Sequence, residues 1–139
     1  MNALPTDHCE PGPFRAAVES KDIERVVSTL APDVRFRSPI VFSPYEGRES
    51  VGALLRLVGE VLGPDLVYQW QVREGDREVL CFTSRIGNRE VEGVDLLRYD
   101  SDGQVAELVV MVRPASALAV LGESMGERLR TAAGHPDAA

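Results

Sequence analysis

Cysteine and histidine are scarce in this 139-residue chain, with two of each. Cys9 falls in a proline-rich beginning and Cys81 inside a strand pattern, so both read as free thiols rather than a disulfide framework. His8 and His135 fall in expected tails, and no cysteine pair has ligand spacing, which argues against a zinc site. No metal or organic cofactor is implied. Free thiols make the cytoplasm the default location. No apolar run approaches the roughly 18 residues of a membrane span, and the beginning lacks a basic-then-apolar signal pattern. Positive charge is also in deficit: 15 basic against 22 acidic residues give a net charge of -7. The basic residues are scattered, so neither nucleic acid nor an anionic membrane is expected as a partner.

What remains is an ordinary globule, with 44% hydrophobic and 27% charged residues, a balance that supports one domain with a real core. Residues 1–13, rich in proline, read as a flexible leader, residues 14–130 as the domain, and 131–139 as a disordered tail. From Phe14 to Leu30 the apolar residues follow helical spacing, broken at Ser20-Lys21-Asp22. That break predicts two short helices, the second capped by Ser20 or Asp22 and ended by Ala31-Pro32-Asp33. Val34 to Arg37 alternates as a short strand. Pro39 to Gly47 reads as a loop or irregular strand, and Ser50 as the cap of a third helix over Val51 to Leu62.

From Leu66 the period changes to two. Tyr68, Trp70 and Val72 are expected on one apolar face. Further strands are expected over Val79 to Ile86, Arg89 to Tyr99 and Gln104 to Arg113, with Gly87-Asn88 and Asp100 to Gly103 as turns. A last helix covers Ala115 to Arg130. Helices followed by a meander of long strands predict an α+β fold, a curved antiparallel sheet wrapped over the N-terminal helices as a cone. A small ligand would lie in the hollow.

One carboxylate stands out. If Gly87-Asn88 is a tight hairpin, Asp95 lies opposite Leu80, on the face that carries Phe82, Ser84, Ile86, Val91, Leu97 and Tyr99. That face is the more apolar one. A buried carboxylate must find a donor or keep its proton, and either state suits chemistry in a pocket. The plainer alternative is that Asp95 holds a backbone bulge at Gly93 or pairs with an arginine such as Arg113.

The segments Asp33-Val34-Arg35-Phe36-Arg37-Ser38-Pro39, Tyr45-Glu46-Gly47-Arg48-Glu49-Ser50 and Gly93 to Gly103, in this order of elements, resemble the nuclear transport factor 2-like superfamily, in its SnoaL-like and ketosteroid isomerase branch. The resemblance covers roughly Phe14 to Arg113. It implies a cone with an internal site, and Asp95 matches the strand aspartate that donates a hydrogen bond to the dienolate oxygen in ketosteroid isomerases. Phe14 stands where those enzymes have a tyrosine, and Ser38 where they have the base. A serine does not replace a carboxylate base, so the resemblance argues against steroid isomerisation by the family mechanism. The same position puts epoxide-opening relatives in doubt.

The expected site is therefore Asp95 as the internal acid, with Phe14, Ser38, Trp70, Phe82, Ser84, Leu97 and Tyr99 against a small, mostly apolar metabolite. Isomerase- or cyclase-type proton transfer is the leading expectation. The competing ones are an epoxide hydrolase-like enzyme, a binding module without chemistry, and a dimerisation domain in which Asp95 is merely paired. The resemblance also implies a homodimer through the sheet's outer face, where Val94, Leu96, Val109 and Met111 are expected.

Overall fold

Gly87-Asn88 is the hairpin turn, and it sets the register for the sheet. Gly87 takes φ 62°, a left-handed value that suits a two-residue turn between twisted strands. Ile86 then pairs with Arg89, and Leu80 with Asp95, as the sequence predicts. The computed structural model describes residues 10–132. Cys9, His8, His135, the leader up to residue 9 and the tail from residue 133 lie outside that range.

Four helices and six strands follow in order: α1 (Pro13–Glu19), α2 (Ile23–Ser28), β1 (Leu30–Arg37), β2 (Tyr45–Glu46), α3 (Arg48–Val61), β3 (Val67–Glu74), β4 (Arg77–Ile86), β5 (Arg89–Tyr99), β6 (Val105–Arg113) and α4 (Ala115–Ala132). The strands form one sheet in the order β2-β1-β6-β5-β4-β3. It is curved but not closed, since β2 and β3 remain as edges. It is also mixed rather than purely antiparallel, because β1 runs parallel to β6. The cause is topological: α3 and the three-strand meander intervene, so β6 reaches the flank of β1 in the same direction.

The break between the first two helices falls where expected, with Lys21 at φ 63°. Asp22 is the cap of α2, its carboxylate accepting from the backbone N–H groups of Glu24 and Arg25 at 3.1 and 3.3 Å. Several boundaries differ from the sequence reading. Helix α2 stops at Ser28 and the chain enters β1 at Leu30, two residues before Pro32. Pro32, which lacks an N–H, sits in the irregular stretch between the Leu30 and Arg35 pairings, so its missing donor interrupts no ladder. Helix α3 starts at Arg48 behind Gly47 at φ 93°, with no side-chain cap from Ser50. Pro13 already belongs to α1, β4 begins at Arg77, and α4 runs past Arg130.

The largest departure is in β3. Tyr68 pairs with Phe82 but Trp70 with Cys81, so two steps along β3 match one along β4. Gln69 is the extra residue of a β-bulge, and the in-out alternation resets there. Tyr68 and Gln71 point inward and are buried, whereas Trp70 and Val72 point outward, Trp70 with 51% exposure.

Helices cover the inner face of the sheet. The buried stripes Phe14 and Ala17 on α1, Val51, Leu54 and Leu55 on α3, and Ala117, Leu121 and Met125 on α4 pack against Phe36, Leu80, Phe82, Leu97 and Leu108 of the strands. The spacing of three and four on each helix is what one-sided burial requires.

Candidate functional site

Helices and sheet do not close completely on each other. They leave a cavity of about 770 Å³ between α1, α2, α3, α4 and the inner sheet face. Its sheet wall is Phe36, Tyr68, Phe82, Asp95, Leu108 and Val110, and its helix wall includes Phe14, Val26, Leu54, Val58, Leu121 and Met125. Exposed Lys21, Asp22, Arg56 and Glu60 line it where it meets solvent.

Asp95 is the carboxylate of the apolar wall, with 6% exposure. The Tyr68 hydroxyl donates to its Oδ2 at 2.9 Å. Burial pushes the Asp95 pKa up, the Tyr68 hydrogen bond pulls it back, and the charge of Glu78 raises it again, to about 7. Burial also raises the Tyr68 phenol, and the neighbouring Asp95 raises it further. The phenol therefore stays a donor at neutral pH. Phe82 stands edge-on to the Tyr68 ring, with centroids 6.4 Å apart, and Arg15 lies over that ring at 5.5 Å while donating to Gln71 Oε1 at 2.9 Å. The tyrosine is thus held on three sides, which fixes the direction of its hydroxyl.

The structure brings Asp95, Phe14, Ser38 and Phe82 to this cavity. Ser38 is occupied there in a local role: its Oγ accepts from the backbone N–H groups of Ile40 and Val41 at 3.1 and 3.0 Å, shaping the rim loop. Tyr45 joins the lining with its ring 6.3 Å from Phe36. The other four expected residues lie elsewhere. Trp70 is outside, turned by the bulge. Ser84 faces inward but donates to the Leu62 carbonyl at 2.7 Å, satisfying the C-terminal end of α3. Leu97 is core filling. Tyr99 donates to Glu78 Oε1 at 2.7 Å, away from the cavity lining. Arg113 pairs neither with Asp95 nor with Glu107. It sits on the outer face opposite Glu92, which it meets at 3.0 Å, while Glu107 faces Arg37 at 3.8 Å.

Sequence reasoning missed Tyr68 as the partner of Asp95 and Glu78 as a buried carboxylate. Both were legible in part. Tyr68 alternates with apolar neighbours, and Glu78 is two residues from Leu80, hence on the same face once β4 is extended back to Arg77.

Comparison with known proteins agrees with this geometry. Residues 13–108 match the SnoaL-like domain. Among solved structures, a steroid delta-isomerase from Pseudomonas aeruginosa is 38% identical, with 86% of this chain and 88% of that one covered at a TM-score of 0.80. A bacterial protein with a cystatin-like fold from Silicibacter pomeroyi is 30% identical over 87% of this chain and 85% of that one, with a TM-score of 0.82. A de novo designed protein with a curved β-sheet, 16% identical, covers 82% of this chain and 95% of its own at a TM-score of 0.66. That last likeness concerns fold alone. No curated protein matches the chain. The family match over most of the chain and the two identities of 30% and more make the chain a member of the SnoaL-like family, in the ketosteroid isomerase-like branch of the nuclear transport factor 2-like superfamily.

Proposed function

We propose that the chain binds a neutral, largely apolar small molecule in its cone and hydrogen-bonds one oxygen of it through Asp95, which lends its proton to negative charge developing there. The observation that carries this reading is the Asp95–Tyr68 pair, 2.9 Å apart on the apolar wall of a cavity large enough for a small metabolite. An acid whose pKa lies near the working pH can give a proton and take it back with little cost in either direction. Tyr68, donating to the second oxygen, holds the carboxyl in one orientation.

The rim supports a neutral ligand. Arg56 is engaged by both oxygens of Glu24 at 2.8 Å, Glu60 faces Arg128 at 3.3 Å, Lys21 donates to the Gly63 carbonyl at 2.8 Å, and Asp22 caps α2. Each charged group at the opening already has a partner. A charged ligand would have to displace one of them.

A thermal-shift screen with neutral steroids, polyketide-like aromatics and terpene epoxides, and with fatty acids as the charged comparison, tests the reading. A neutral class should stabilise the protein, and Asp95→Asn should weaken its binding by on the order of tenfold, the worth of one hydrogen bond to a buried acid. Preference for fatty acids, or equal binding by Asp95→Asn, would defeat it.

The 38% identity to a steroid delta-isomerase favours a second reading, isomerisation of an unsaturated steroid ketone. Ser38, tied to two backbone N–H groups, supplies no base for it. Turnover of such a ketone that disappears in Asp95→Asn would establish this reading over simple binding. The Cys81 thiol is buried, and burial and Glu92 hold it in its protonated form. The exposed apolar residues of the outer sheet face, Trp70, Val72 and Met111, support a homodimer.

A further inference from the structure

We propose that Tyr45 is a second ligand-binding residue of the cone, its hydroxyl bonding an oxygen at the far end of the molecule that Asp95 holds. The ligand is then an elongated, neutral compound with an oxygen at each end and an apolar middle. This inference rests on reading Asp95 as the donor to the first oxygen. Tyr45 pairs with Phe36 across β1 and β2, and cross-strand partners share a face. Phe36 is buried on the inner sheet face, so Tyr45 points inward as well. Both line the cavity, with their ring centroids 6.3 Å apart.

Among the polar side chains of the lining, Tyr45 stands apart. Lys21, Asp22, Arg56 and Glu60 are engaged by the partners already named. Ser38 is spent on the rim loop, where its Oγ accepts from Ile40 and Val41. Tyr68 donates to Asp95 Oδ2. The Tyr45 hydroxyl alone makes no hydrogen bond to any described residue. A phenylalanine would give Phe36 the same ring contact, so the hydroxyl adds nothing to the packing. A phenol both donates and accepts, which suits a ligand carbonyl or hydroxyl. Ile40 and Val41, which line the cavity from the rim loop, offer no competing polar side chain.

Sheet register sets the span between the two groups. Phe36 pairs with Leu108 of β6, Leu108 with Leu97 of β5, and Asp95 stands two residues from Leu97. In the strand order β2-β1-β6-β5, Tyr45 and Asp95 are therefore three strand steps apart and offset by one same-face step along β5. That places their Cα atoms on the order of 15 Å apart. Both side chains point into the hollow of a curved sheet, which shortens the gap between their oxygens to about 10 Å. Two linked cyclohexane rings with an oxygen at each end match this span.

The test is calorimetric binding of two probes, cyclohexylcyclohexanone with a carbonyl at one end and bicyclohexyl dione with a carbonyl at each end. The wild type should bind the dione on the order of tenfold more tightly, one added hydrogen bond together with the choice of two equivalent carbonyls. In Tyr45→Phe that ratio should fall to about two, the statistical advantage alone. The melting temperature of this variant should equal that of the wild type, since no bond within the protein is lost. An unchanged ratio in Tyr45→Phe overturns the proposal. A lower melting temperature also overturns it, because the hydroxyl would then serve the fold, and so does a dione that does not bind at millimolar concentration. Asp95→Asn separates the two readings. If it weakens both probes while the ratio ignores Tyr45, only the Tyr45 site falls. If it weakens neither while the ratio depends on Tyr45, the role given to Asp95 falls and the Tyr45 contact stands.

Discussion

Asp95 carries its consequences for stability as well as for binding. In the folded chain it keeps its proton up to about pH 7, against 3.8 for an ordinary aspartate. Between those values the folded state binds more protons than the unfolded one, so stability falls as pH rises. This group's contribution is full below about pH 4 and lost once the pH passes 7, an effect on the order of a few kcal/mol. Asparagine at 95 has the same shape, can accept from Tyr68, and does not ionise. Asp95→Asn should therefore gain on the wild type as the pH is raised from 5 to 8.5, the difference in melting temperature shifting by on the order of several degrees. A difference that does not depend on pH would mean that Asp95 is not the buried acid described above. Tyr68→Phe offers the complementary case. The lost hydrogen bond is the one that lowers the Asp95 pKa, so the midpoint should move above 7 in a carboxyl titration. A fall would show that the hydroxyl favours the protonated form instead.

At the scale of elements, Gly93 is the residue that lets β5 cross beneath the aromatic wall of the cavity. A side-chain carbon there would collide with the Phe82 ring and stand 2.7 Å from the Met111 carbonyl, one neighbour in the core and the other fixed in the ladder. Gly93→Ala should cost about 1–3 kcal/mol, as overpacking in a core does, and should disturb the cavity by pushing Phe82 toward Tyr68. Denaturant unfolding would check the first part, and a cost below 0.5 kcal/mol would indicate that the ring moves aside freely. The strands that form this wall were legible because their hairpins are written in short polar turns: Gly87-Asn88 alone placed Asp95 opposite Leu80. Strand β3 was not, because a bulge has no such mark. Nothing in Tyr68-Gln69-Trp70-Gln71 distinguishes strict alternation, which puts Trp70 inside, from a one-residue reset, which puts Gln71 there. The buried Gln71 settles on Arg15, a partner 56 residues away that no local pattern names. Ser84 and Tyr99 were expected in the cavity; they lie on its face of the sheet but not in its lining, since a face is a property of a strand while a cavity depends on where helices end.

For the molecule as a whole, the cone explains containment but not chemistry, since a designed protein has much the same curved sheet. The outer face of that sheet is the remaining feature on this scale. Trp70, Cys81, Val94 and Met111 form one row across four strands, and Val72, Val79, Leu96 and Val109 the next. Val67, Trp70, Val72 and Met111 are each more than half exposed, and we propose that the apolar outer face they share is an interaction site. Its borders carry both signs of charge, with Arg85–Glu90 and Arg113–Glu92 on one side and Arg37–Glu107 on the other. A mixed border suits a second copy related by a two-fold axis, where the same patch must complement itself. Sedimentation at micromolar concentration should therefore give twice the 15.2 kDa chain mass. Trp70→Glu, which puts a charge on the exposed apolar surface at the β3 end of the row, should return the chain to monomer. Asp95 lies on the opposite face, so its titration should be the same in both forms. A wild type that sediments at the single-chain mass would remove the homodimer, and a shifted Asp95 midpoint in the Trp70→Glu monomer would mean instead that the partner helps to shape the cone.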